Sequence, residues 1–449
     1  MSLDLGLADL RPLPGIAADP ARWAAVSAQM HRGIYLRSEG TMVTVGAPQS
    51  ISGTLLAQSR EVVSRLDRFF RQVTAAYYAR PDLRGEFLVN PLIEPLLELE
   101  TDQPIATPLS RLDVVLEPDG KMRVIEINSV GVCLFHLRSL LYAIRALDRG
   151  GLTEDARILD HLVRDTVNAF ITYASVRLES PPKRLVIGAL GPTNHLRAGH
   201  LLFRAAFERH GCDYVFGAPE HLEVTDRDIR LRGRKIDVLW ADFLFYLAYQ
   251  CARYQETKWP TKMPDFGQAP AQTAALLADR RFLDHLRTGR VINLSPARAY
   301  LALPKSLLSW VHRTDRPIDP GERAFLADHV AHTYSARDRI DGLITMDDAI
   351  RDRAGLLIKP CQYGGSHGVQ IGRLIDAEWW PIRLAEIWTD PSWALQEFRE
   401  PVKAASGEWM SFGLQNFAGS LGGVYVRTST SLMISARDAA FIPAVPAEQ

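Results

Sequence analysis

The chain has 449 residues, of which 47% are hydrophobic and 23% are charged. Lys plus Arg and Asp plus Glu each number 52, so the formal net charge is zero. This composition is typical of a globular protein of two or three domains, and it lacks the basic excess that indicates a nucleic-acid or anionic-membrane partner.

Cysteine spacing and hydropathy argue against several further classes of protein. Four cysteines, Cys133, Cys212, Cys251 and Cys361, lie far apart without a C-x-x-C pair, so neither a disulfide framework nor a zinc site is predicted. The stretch MSLDLGLADLRPLPG lacks the basic region and apolar core of a signal peptide. No apolar run reaches the ~20 residues that a membrane helix needs. We therefore expect a cytoplasmic protein.

Two helices are predicted before residue 100. The dipeptide Asp-Pro at 19–20 places an N-cap residue before a proline at the first helical position, which predicts a helix that extends to Met30. A longer amphipathic helix follows, with apolar residues at three- and four-residue spacing between 62 and 77, and it ends before Pro81. We expect its apolar side to belong to the core.

The stretch RLDVVLEPDGKMRVIEIN, residues 111–128, predicts a β-hairpin with a Pro-Asp-Gly turn. Because side chains alternate along a strand, Arg111 shares a face with Asp113, and Glu126 shares a face with Asn128. A two-residue loop puts both pairs on one side, whereas a three-residue loop puts them on opposite sides. In the first case, three oxygen donors suit Mg²⁺ beside a charge that stabilises a phosphate or an oxyanion. The alternative is a solvated face without a function.

Beyond the hairpin, the pattern is first helical and then alternating. Apolar spacing predicts helices at 137–147 and 158–173, and the two prolines at 181–182 mark a domain boundary. Between 183 and 245, strands alternate with a helix and include a short hairpin, which predicts a small Rossmann-like α/β unit. Its glycines do not form G-x-G-x-x-G, so no dinucleotide site is predicted.

The C-terminal third carries two lysines and a glycine-rich loop. Lys305 begins a helical stretch, and Lys359 lies on a predicted strand directly before the loop. The sequence WALQEF, residues 393–398, predicts another strand. GGVYVR and SLMIS are predicted to form a final hairpin, and the last dozen residues a loose tail.

Each of these features has a simpler interpretation, since a strand lysine is more often a solvated charge and a GGxxG loop more often a tight turn. Together they describe a nucleotide cleft, in which lysines and glycine-loop N–H groups hold phosphates and a short strand offers edge hydrogen bonds to an adenine. The predicted nucleotide-binding residues are Lys305, Lys359, Tyr363, Gly364, Gly365, Ser366, His367, Gly368, Gln396, Glu397, Phe398 and Arg399. The predicted metal ligands are Asp113, Glu126 and Asn128, which would bridge Mg²⁺ to the β- and γ-phosphates.

This set of residues resembles the signature of the ATP-grasp superfamily. Its parts are a lysine, a second lysine before a glycine-rich loop (here IKPCQYGGSHGV), a QE hinge strand (LQEF) and an R-x-D…E-x-N hairpin. The hairpin comes first here, so the order resembles the circularly permuted enzymes, such as eukaryotic-type glutathione synthetase and the synthetase domain of glutathionylspermidine synthase. The resemblance covers 111–140 and 291–435, loosely includes 183–245, and does not reach the first hundred residues.

The glycine loop departs from the family pattern. Glutathione synthetase-like proteins can carry a glutamate there as an additional metal ligand, but this loop has no carboxylate, so metal binding would rest on the hairpin alone. The GGKG lysine of permuted relatives is absent, and Ser366-His367 stands in its region. The loop charge would therefore depend on pH through His367.

The resemblance implies a mixed α/β (α+β) fold, namely a circularly permuted ATP-grasp fold with an inserted Rossmann-like subdomain. The expected parts are an N-terminal helical region with the metal-binding hairpin (1–180), the α/β substrate subdomain (181–290), and the nucleotide-binding region with its glycine-rich lid loop (291–449).

The implied activity is an ATP-dependent carboxylate–amine ligase that forms an amide through an acyl phosphate, on an amino acid or short peptide. ATP and Mg²⁺ are the expected cofactors, and Arg111 is the expected catalytic residue, because it can stabilise the transferring phosphoryl group. The alternatives are a degenerate ATP-binding protein and an ATP-dependent phosphotransferase. The expected partners are small-molecule substrates, without nucleic acid or membrane. The sequence leaves the oligomeric state open, although related synthetases are often homodimers.

Overall fold

The structure is a computed structural model. It describes residues 10–25, 37–38, 41–42, 44–99, 107–130, 132, 134–191, 197–241, 248, 269–294, 296–362, 364, 366–434 and 439–447.

The helices are α1 Pro14–Ala18, α2 Gly53–Ala79, α3 Glu94–Leu99, α4 Phe135–Gly150, α5 Thr153–Ser175, α6 Arg197–Arg209, α7 Ala269–Ala278, α8 Arg280–Arg287, α9 Arg298–Leu301, α10 Pro320–Ala327, α11 Ala336–Ile340, α12 Met346–Arg351 and α13 Trp379–Ile387. Residues 20–25 are also helical. Shorter 3₁₀ helices are Pro81–Phe87, Pro219–His221, Lys305–His312, Arg353–Gly355 and Gly372–Leu374.

The strands are β1 Arg11–Pro12, β2 Arg37–Ser38, β3 Thr41–Met42, β4 Thr44–Val45, β5 Gln49–Ile51, β6 Leu109–Leu116, β7 Met122–Asn128, β8 Val186–Leu190, β9 Asp213–Gly217, β10 Leu222–Val224, β11 Ile229–Leu231, β12 Arg234–Lys235, β13 Val238–Trp240, β14 Ile292–Asn293, β15 Thr333–Tyr334, β16 Leu356–Pro360, β17 Gln370–Ile371, β18 Trp393–Glu397, β19 Trp409–Phe417, β20 Ser420–Ser429 and β21 Ala440–Pro446.

An eight-stranded sheet forms the centre of the molecule. Its order is β1-β5-β21-β20-β19-β6-β7, with β4 also paired to β21. Successive side chains of β20 point to opposite faces of the sheet and into two hydrophobic clusters. Val424 and Val426 pack in the same cluster as α2, and Tyr425 packs in the cluster that contains α4 and α5. The sheet is therefore covered by helices on both faces, and β7 lies at one end of its strand order.

The α/β unit contains a four-stranded parallel sheet of order β14-β13-β8-β9. Helix α6 joins β8 to β9 and packs on β9, and β10, β11 and β12 form a small antiparallel sheet between β9 and β13. This order agrees with the prediction of a Rossmann-like unit. Strand β14 lies beyond residue 290, the limit that the sequence suggested for this part.

A second four-stranded sheet, of order β15-β18-β16-β17, carries the second lysine. It has its own hydrophobic cluster with α12 and α13, which includes Ile358, Trp380 and Leu395. This sheet meets β7 of the central sheet, because Val124 donates to His329 O (2.7 Å) and accepts from Ala331 N (3.0 Å). The hairpin formed by β6 and β7 and the lysine-bearing sheet are thus joined by backbone hydrogen bonds.

The two predicted N-terminal helices are present. Asp19 Oδ1 accepts from Arg22 N (3.0 Å), as an N-cap residue should, and residues 20–25 are helical; the predicted continuation to Met30 lies outside the described residues. Helix α2 begins after its N-cap residue Ser52 and ends at Ala79, two residues before Pro81.

The predictions for the C-terminus were wrong. Residues 431–434 of SLMIS are outside any strand, and Ser435 lies outside the described residues. The partners of β20 are β19 and β21. Strand β21 belongs to the expected tail, yet it lies between β20 and the N-terminal strands β4 and β5. Its alternate apolar residues Phe441 and Val445 are buried, which explains its place in the sheet.

Two further expectations concern helices and thiols. Among the described residues, no helix is long and apolar enough to cross a membrane. Cys212 and Cys361 are both buried and free, whereas Cys133 and Cys251 lie outside the described residues.

Candidate functional site

The hairpin of β6 and β7 places Arg111, Asp113, Glu126 and Asn128 on one face. The sequence did not indicate the irregularity in strand pairing that produces this arrangement. Glu117 and Lys121 close a three-residue loop, with Gly120 at φ +80° and its N–H bonded to Glu117 O (2.8 Å). Alone, this loop would separate the pairs. An irregularity between Asp113 and Val114 adds Ile125 as an unpaired residue, so that Asp113 lies opposite Glu126 and Arg111 opposite Asn128. A β-bulge thus restores the shared face.

Two arginines hold Asp113. Arg111 donates through Nε to Asp113 Oδ1 (2.7 Å) and through Nη2 to Oδ2 (3.2 Å), and Arg427 of β20 approaches Oδ2 at 3.2 Å. Burial raises the pKa of the Asp113 carboxyl, but the two guanidinium charges and their hydrogen bonds lower it by more. Burial lowers the pKa of Arg111, and the Asp113 charge raises it above its ordinary value. Asp113 is therefore ionised at neutral pH.

Asn128 connects this pair to Glu126. In the amide orientation that satisfies both neighbours, its oxygen accepts from Arg111 Nη2 (2.9 Å) and its nitrogen donates to Glu126 Oε1 (3.3 Å). The four motif residues therefore form a continuous polar network on one face of the hairpin.

Lys305 reaches this network from a separate part of the chain. It begins the 3₁₀ helix Lys305–His312, and its backbone N–H donates to Cys361 O (2.9 Å). Its side chain is almost fully buried, and Nζ lies 3.3 Å from Glu126 Oε1. The structure thus brings the first lysine against a predicted metal ligand.

Lys359 reaches the same hairpin from β16. Its Nζ donates to the carbonyl of the bulge residue Ile125 (2.5 Å) and to Gln396 Oε1 (2.7 Å). Burial lowers the pKa of the Lys359 ammonium to about 7; the Lys305 charge lowers it too, while Glu126 and Asp113 raise it. Both lysines and both carboxylates are therefore close enough to influence one another.

The hinge strand differs from its predicted role. An edge strand was expected, but β18 lies between β15 and β16, and Glu397 N already donates to His332 O (2.7 Å). Gln396 is buried and points to Lys359. Phe398 N donates to Gly355 O (2.7 Å). The backbone N–H groups of Glu397 and Phe398 are therefore already bonded within the fold, and the nucleotide contacts expected at Gln396–Arg399 stay a prediction.

Arg399 links the hinge to the hairpin turn. It pairs with Glu397, and its Nη1 donates to Glu117 Oε1 (2.9 Å). The other oxygen of Glu117 accepts from Arg123 Nε (2.9 Å). This ion network fixes the end of β18 to the hairpin of β6 and β7.

The glycine loop is described in part. Tyr363 and Gly365 lie outside the described residues, while Gly364, Ser366, His367 and Gly368 are half-buried. Ser366 and Gly368 have left-handed φ values of 60° and 73°, and His367 N donates to Gly364 O at 3.4 Å. A serine in this conformation carries a backbone cost of about 1 kcal/mol or more.

The donor set of the hairpin fits a hard divalent cation. The described residues contain no group of three or more His, Cys, Asp or Glu that could hold a metal, so such an ion depends on two carboxylates and an amide. These donors are all oxygens, as Mg²⁺ prefers. A carboxylate has about four lone-pair sites, so the arginine bonds of Asp113 leave it acceptor capacity.

Sequence reasoning missed Arg427 as a neighbour of Asp113. The signal lay in the alternation of GGVYVR: Val424 and Val426 face the α2 core, so Tyr425 and Arg427 must face the other side. Arg427 Nε also donates to Ser411 Oγ on β19 (3.1 Å). Nothing in the sequence indicated that β19 lies between β20 and β6 in the sheet.

Two cavities are not lined by the motif residues; the first lies between α3, α5 and β14, and the second lies in the α/β unit. One, of about 280 Å³, is lined by residues that include Tyr173, Arg177 and Asn293. The other, of about 500 Å³, is lined by residues that include His200, Phe216 and Arg232. Neither can be assigned to the nucleotide cleft.

Comparison with known proteins gives a fold but no family. No protein-family profile and no curated protein matches the chain. Among solved structures, the chain is similar to a glutathione synthetase-like effector from Globodera pallida, at 11% identity and a TM-score of 0.52, over 97% of this chain and all of that one. A protein provisionally assigned as a gamma-glutamylcysteine synthetase from Methylobacillus flagellatus aligns over 85% of this chain and 87% of its own at 12% identity, but its TM-score of 0.37 is too low to show a shared fold. The likeness to the effector spans more of the chain than the motifs do, and it shows that the chain has a glutathione synthetase-like fold.

Proposed function

We propose that this protein is an ATP-dependent carboxylate–amine ligase of the circularly permuted ATP-grasp type, acting on an amino acid or short peptide. One observation carries the proposal. Three parts of the chain far apart in sequence converge on one hairpin: Lys305 contacts Glu126, and Lys359 contacts the Ile125 carbonyl while bonded to Gln396. Two ammonium groups beside two carboxylates form a site for phosphates and a divalent cation.

In this proposal, the cationic residues bind phosphates and the residues with oxygen donors bind the metal ion. Lys305 and Lys359 would hold the ATP phosphates, and Asp113, Glu126 and Asn128 would hold Mg²⁺, which supplies charge neutralisation on the transferring phosphoryl group. Arg111 is fixed by Asp113 and Asn128, so its guanidinium is preorganised beside the reacting oxygens. Attack of the substrate carboxylate on the γ-phosphorus would release ADP and give an acyl phosphate, and attack of the amine would then release phosphate and give the amide.

The glycine loop, 363–368, would close over the phosphates. Its N–H groups can donate to phosphate oxygens, and closure would exclude water, which otherwise hydrolyses an acyl phosphate before the amine arrives. The reaction would take place under this loop.

ADP release with Mg²⁺, ATP and a panel of amino acids and short peptides tests the proposal. Hydroxylamine can replace the unknown amine, because it converts an acyl phosphate into a hydroxamate. We expect substrate-dependent ADP release and a hydroxamate of matching mass. A phosphate ester as the final product would instead indicate a phosphotransferase, and ATP binding without turnover a degenerate nucleotide-binding protein.

A further inference from the structure

A closed series of hydrogen bonds surrounds the ammonium group of Lys359. Ala331 N donates to Val124 O (3.0 Å), and Thr333 Oγ1 donates to Ala331 O (3.0 Å). Gln396 Nε2 in turn donates to Thr333 Oγ1 (2.7 Å). The bonds of Lys359 to Gln396 Oε1 and to the Ile125 carbonyl complete the series, since Ile125 follows Val124 in β7.

The direction of each bond is fixed by donor chemistry. The hydroxyl of Thr333 has one proton, which it gives to the Ala331 carbonyl, so it can only accept from Gln396. The amide of Gln396 must therefore turn its NH₂ group towards Thr333 and its oxygen towards Lys359. Thr333 thereby determines that Lys359 meets an acceptor and not a second donor.

Burial makes the loss of any one of these hydrogen bonds costly. Thr333 and Gln396 are each 1% exposed and Lys359 is 3% exposed, so water cannot readily substitute for a lost partner. In such surroundings an unpaired polar group is costly, and hydrogen bonds strengthen one another. The ammonium group consequently has one preferred direction.

We propose that Thr333 is a positioning residue, which acts through Gln396 to hold the Lys359 ammonium where ATP phosphates would bind. The effect on ATP binding rests on the proposed function, whereas the series of hydrogen bonds around Lys359 does not. It also gives Gln396, expected as an adenine contact, the different task of orienting a lysine. Thr333 itself need not touch a substrate.

The test is a matched pair, Thr333→Val and Thr333→Ser. Valine keeps the shape and removes the hydroxyl, so Gln396 loses its fixed orientation; we expect the Kd for ATP, measured calorimetrically, to rise about 3- to 10-fold. Serine keeps the hydroxyl and should restore the wild-type Kd. Thr74→Val is the control, because Thr74 is equally buried and donates to a backbone carbonyl in α2.

A double-mutant cycle separates positioning from general destabilisation. Gln396→Leu removes the acceptor of Lys359 directly, so Thr333→Val should have no further effect on ATP binding in that background. Equal and additive effects of the two substitutions would contradict the proposal. So would an unchanged Kd in Thr333→Val when the variant remains folded.

A second readout does not depend on ATP. The chain has eight lysines, so ¹⁵N-labelled lysine gives few Nζ signals, and Lys359→Arg assigns the relevant one. A held, buried ammonium exchanges slowly with water; we expect a faster exchange in Thr333→Val and not in Thr333→Ser or Thr74→Val. If the wild-type protein does not bind ATP, the proposed function fails, and this measurement alone decides the role of Thr333. Identical exchange in all variants would overturn the inference.

Discussion

At the residue scale, the carboxylate of Glu126 is the centre of the site. It lies between Lys305 and Asn128 on the face it shares with Asp113. Glu126→Gln removes a charge that both a divalent cation and Lys305 require, so ADP release should fall by at least about 100-fold. Glutamine keeps the shape of the side chain, so the variant should remain folded, and its thermal midpoint checks this. Asp119→Asn, an exposed change in the same hairpin, is the control; turnover retained in Glu126→Gln would refute the metal assignment.

The phosphate role of Lys359 has its own test. Each charge-assisted contact contributes roughly 1.5–3 kcal/mol, so Lys359→Ala should weaken ATP binding about 10- to 100-fold. Its removal also leaves Gln396 Oε1 and the Ile125 carbonyl without their donor, so the variant should be less stable. Lys121→Ala, in the exposed hairpin turn, controls for loss of a lysine. Equal ATP affinity in Lys359→Ala and wild type, by calorimetry, would count against the cleft.

At the element scale, the packing of β19 against β20 depends on a glycine. Gly413 pairs with Asp113 on one side and with Tyr425 on the other, and a Cβ there would lie 2.2 Å from Tyr425 Cζ. Gly413→Ala should therefore destabilise the fold by about 1–3 kcal/mol through overpacking. Tyr425→Ala should relieve part of that cost. Urea unfolding of the two single variants and the double variant should give a coupling energy of about 0.5–3 kcal/mol; strict additivity would contradict the contact.

The elements also show what the sequence could predict. The spacing of apolar residues was sufficient to predict α2 and the strands β6 and β7, because each has a buried face of regular spacing. It could not reveal the bulge at Ile125, since an unpaired residue changes the register without changing the composition of the strand. It also missed β21, where Pro443 interrupts an apolar run; this proline lies opposite the gap between β4 and β5, where no N–H is needed.

The site residues divide in the same way. The four hairpin residues and two lysines were recognised because their order along the chain resembles a known signature. Arg427 and Thr333 were not, since they act through neighbours that only the sheet pairings bring together. Contacts between strands distant in sequence leave no local pattern to read.

At the scale of the whole molecule, three histidines with lowered pKa values predict loss of stability in mild acid. Burial lowers the pKa of His136 and of His312 to about 4 and that of His200 to about 3. Below about pH 6.5 the unfolded chain binds protons that the folded chain does not, so the free energy of unfolding should fall until the folded pKa values are reached. Each histidine contributes about 1.4 kcal/mol per pH unit in that window.

Urea unfolding at pH 7 and pH 5 measures this effect. His136→Phe removes one titrating group and should reduce the difference between the two pH values by about 2 kcal/mol. His161→Phe, at an exposed position, controls for the introduction of a phenylalanine. A pH-independent free energy of unfolding in the wild-type protein would show that these histidines are not kept neutral by the fold.

The pairing of β21 with β4 and β5 has a consequence for synthesis on the ribosome. Residue 444 pairs with residue 49, so β5 cannot pair with its neighbour β21 until residue 444 has been translated. Closing so long a loop is entropically costly and slow. The hairpin of β6 and β7 belongs to the same sheet and pairs through β6 with β19, which is also translated late. A nascent chain would therefore carry the residues of β6 and β7 without their sheet partner until β19 has been translated, and its unpaired strand edges would favour aggregation during that time.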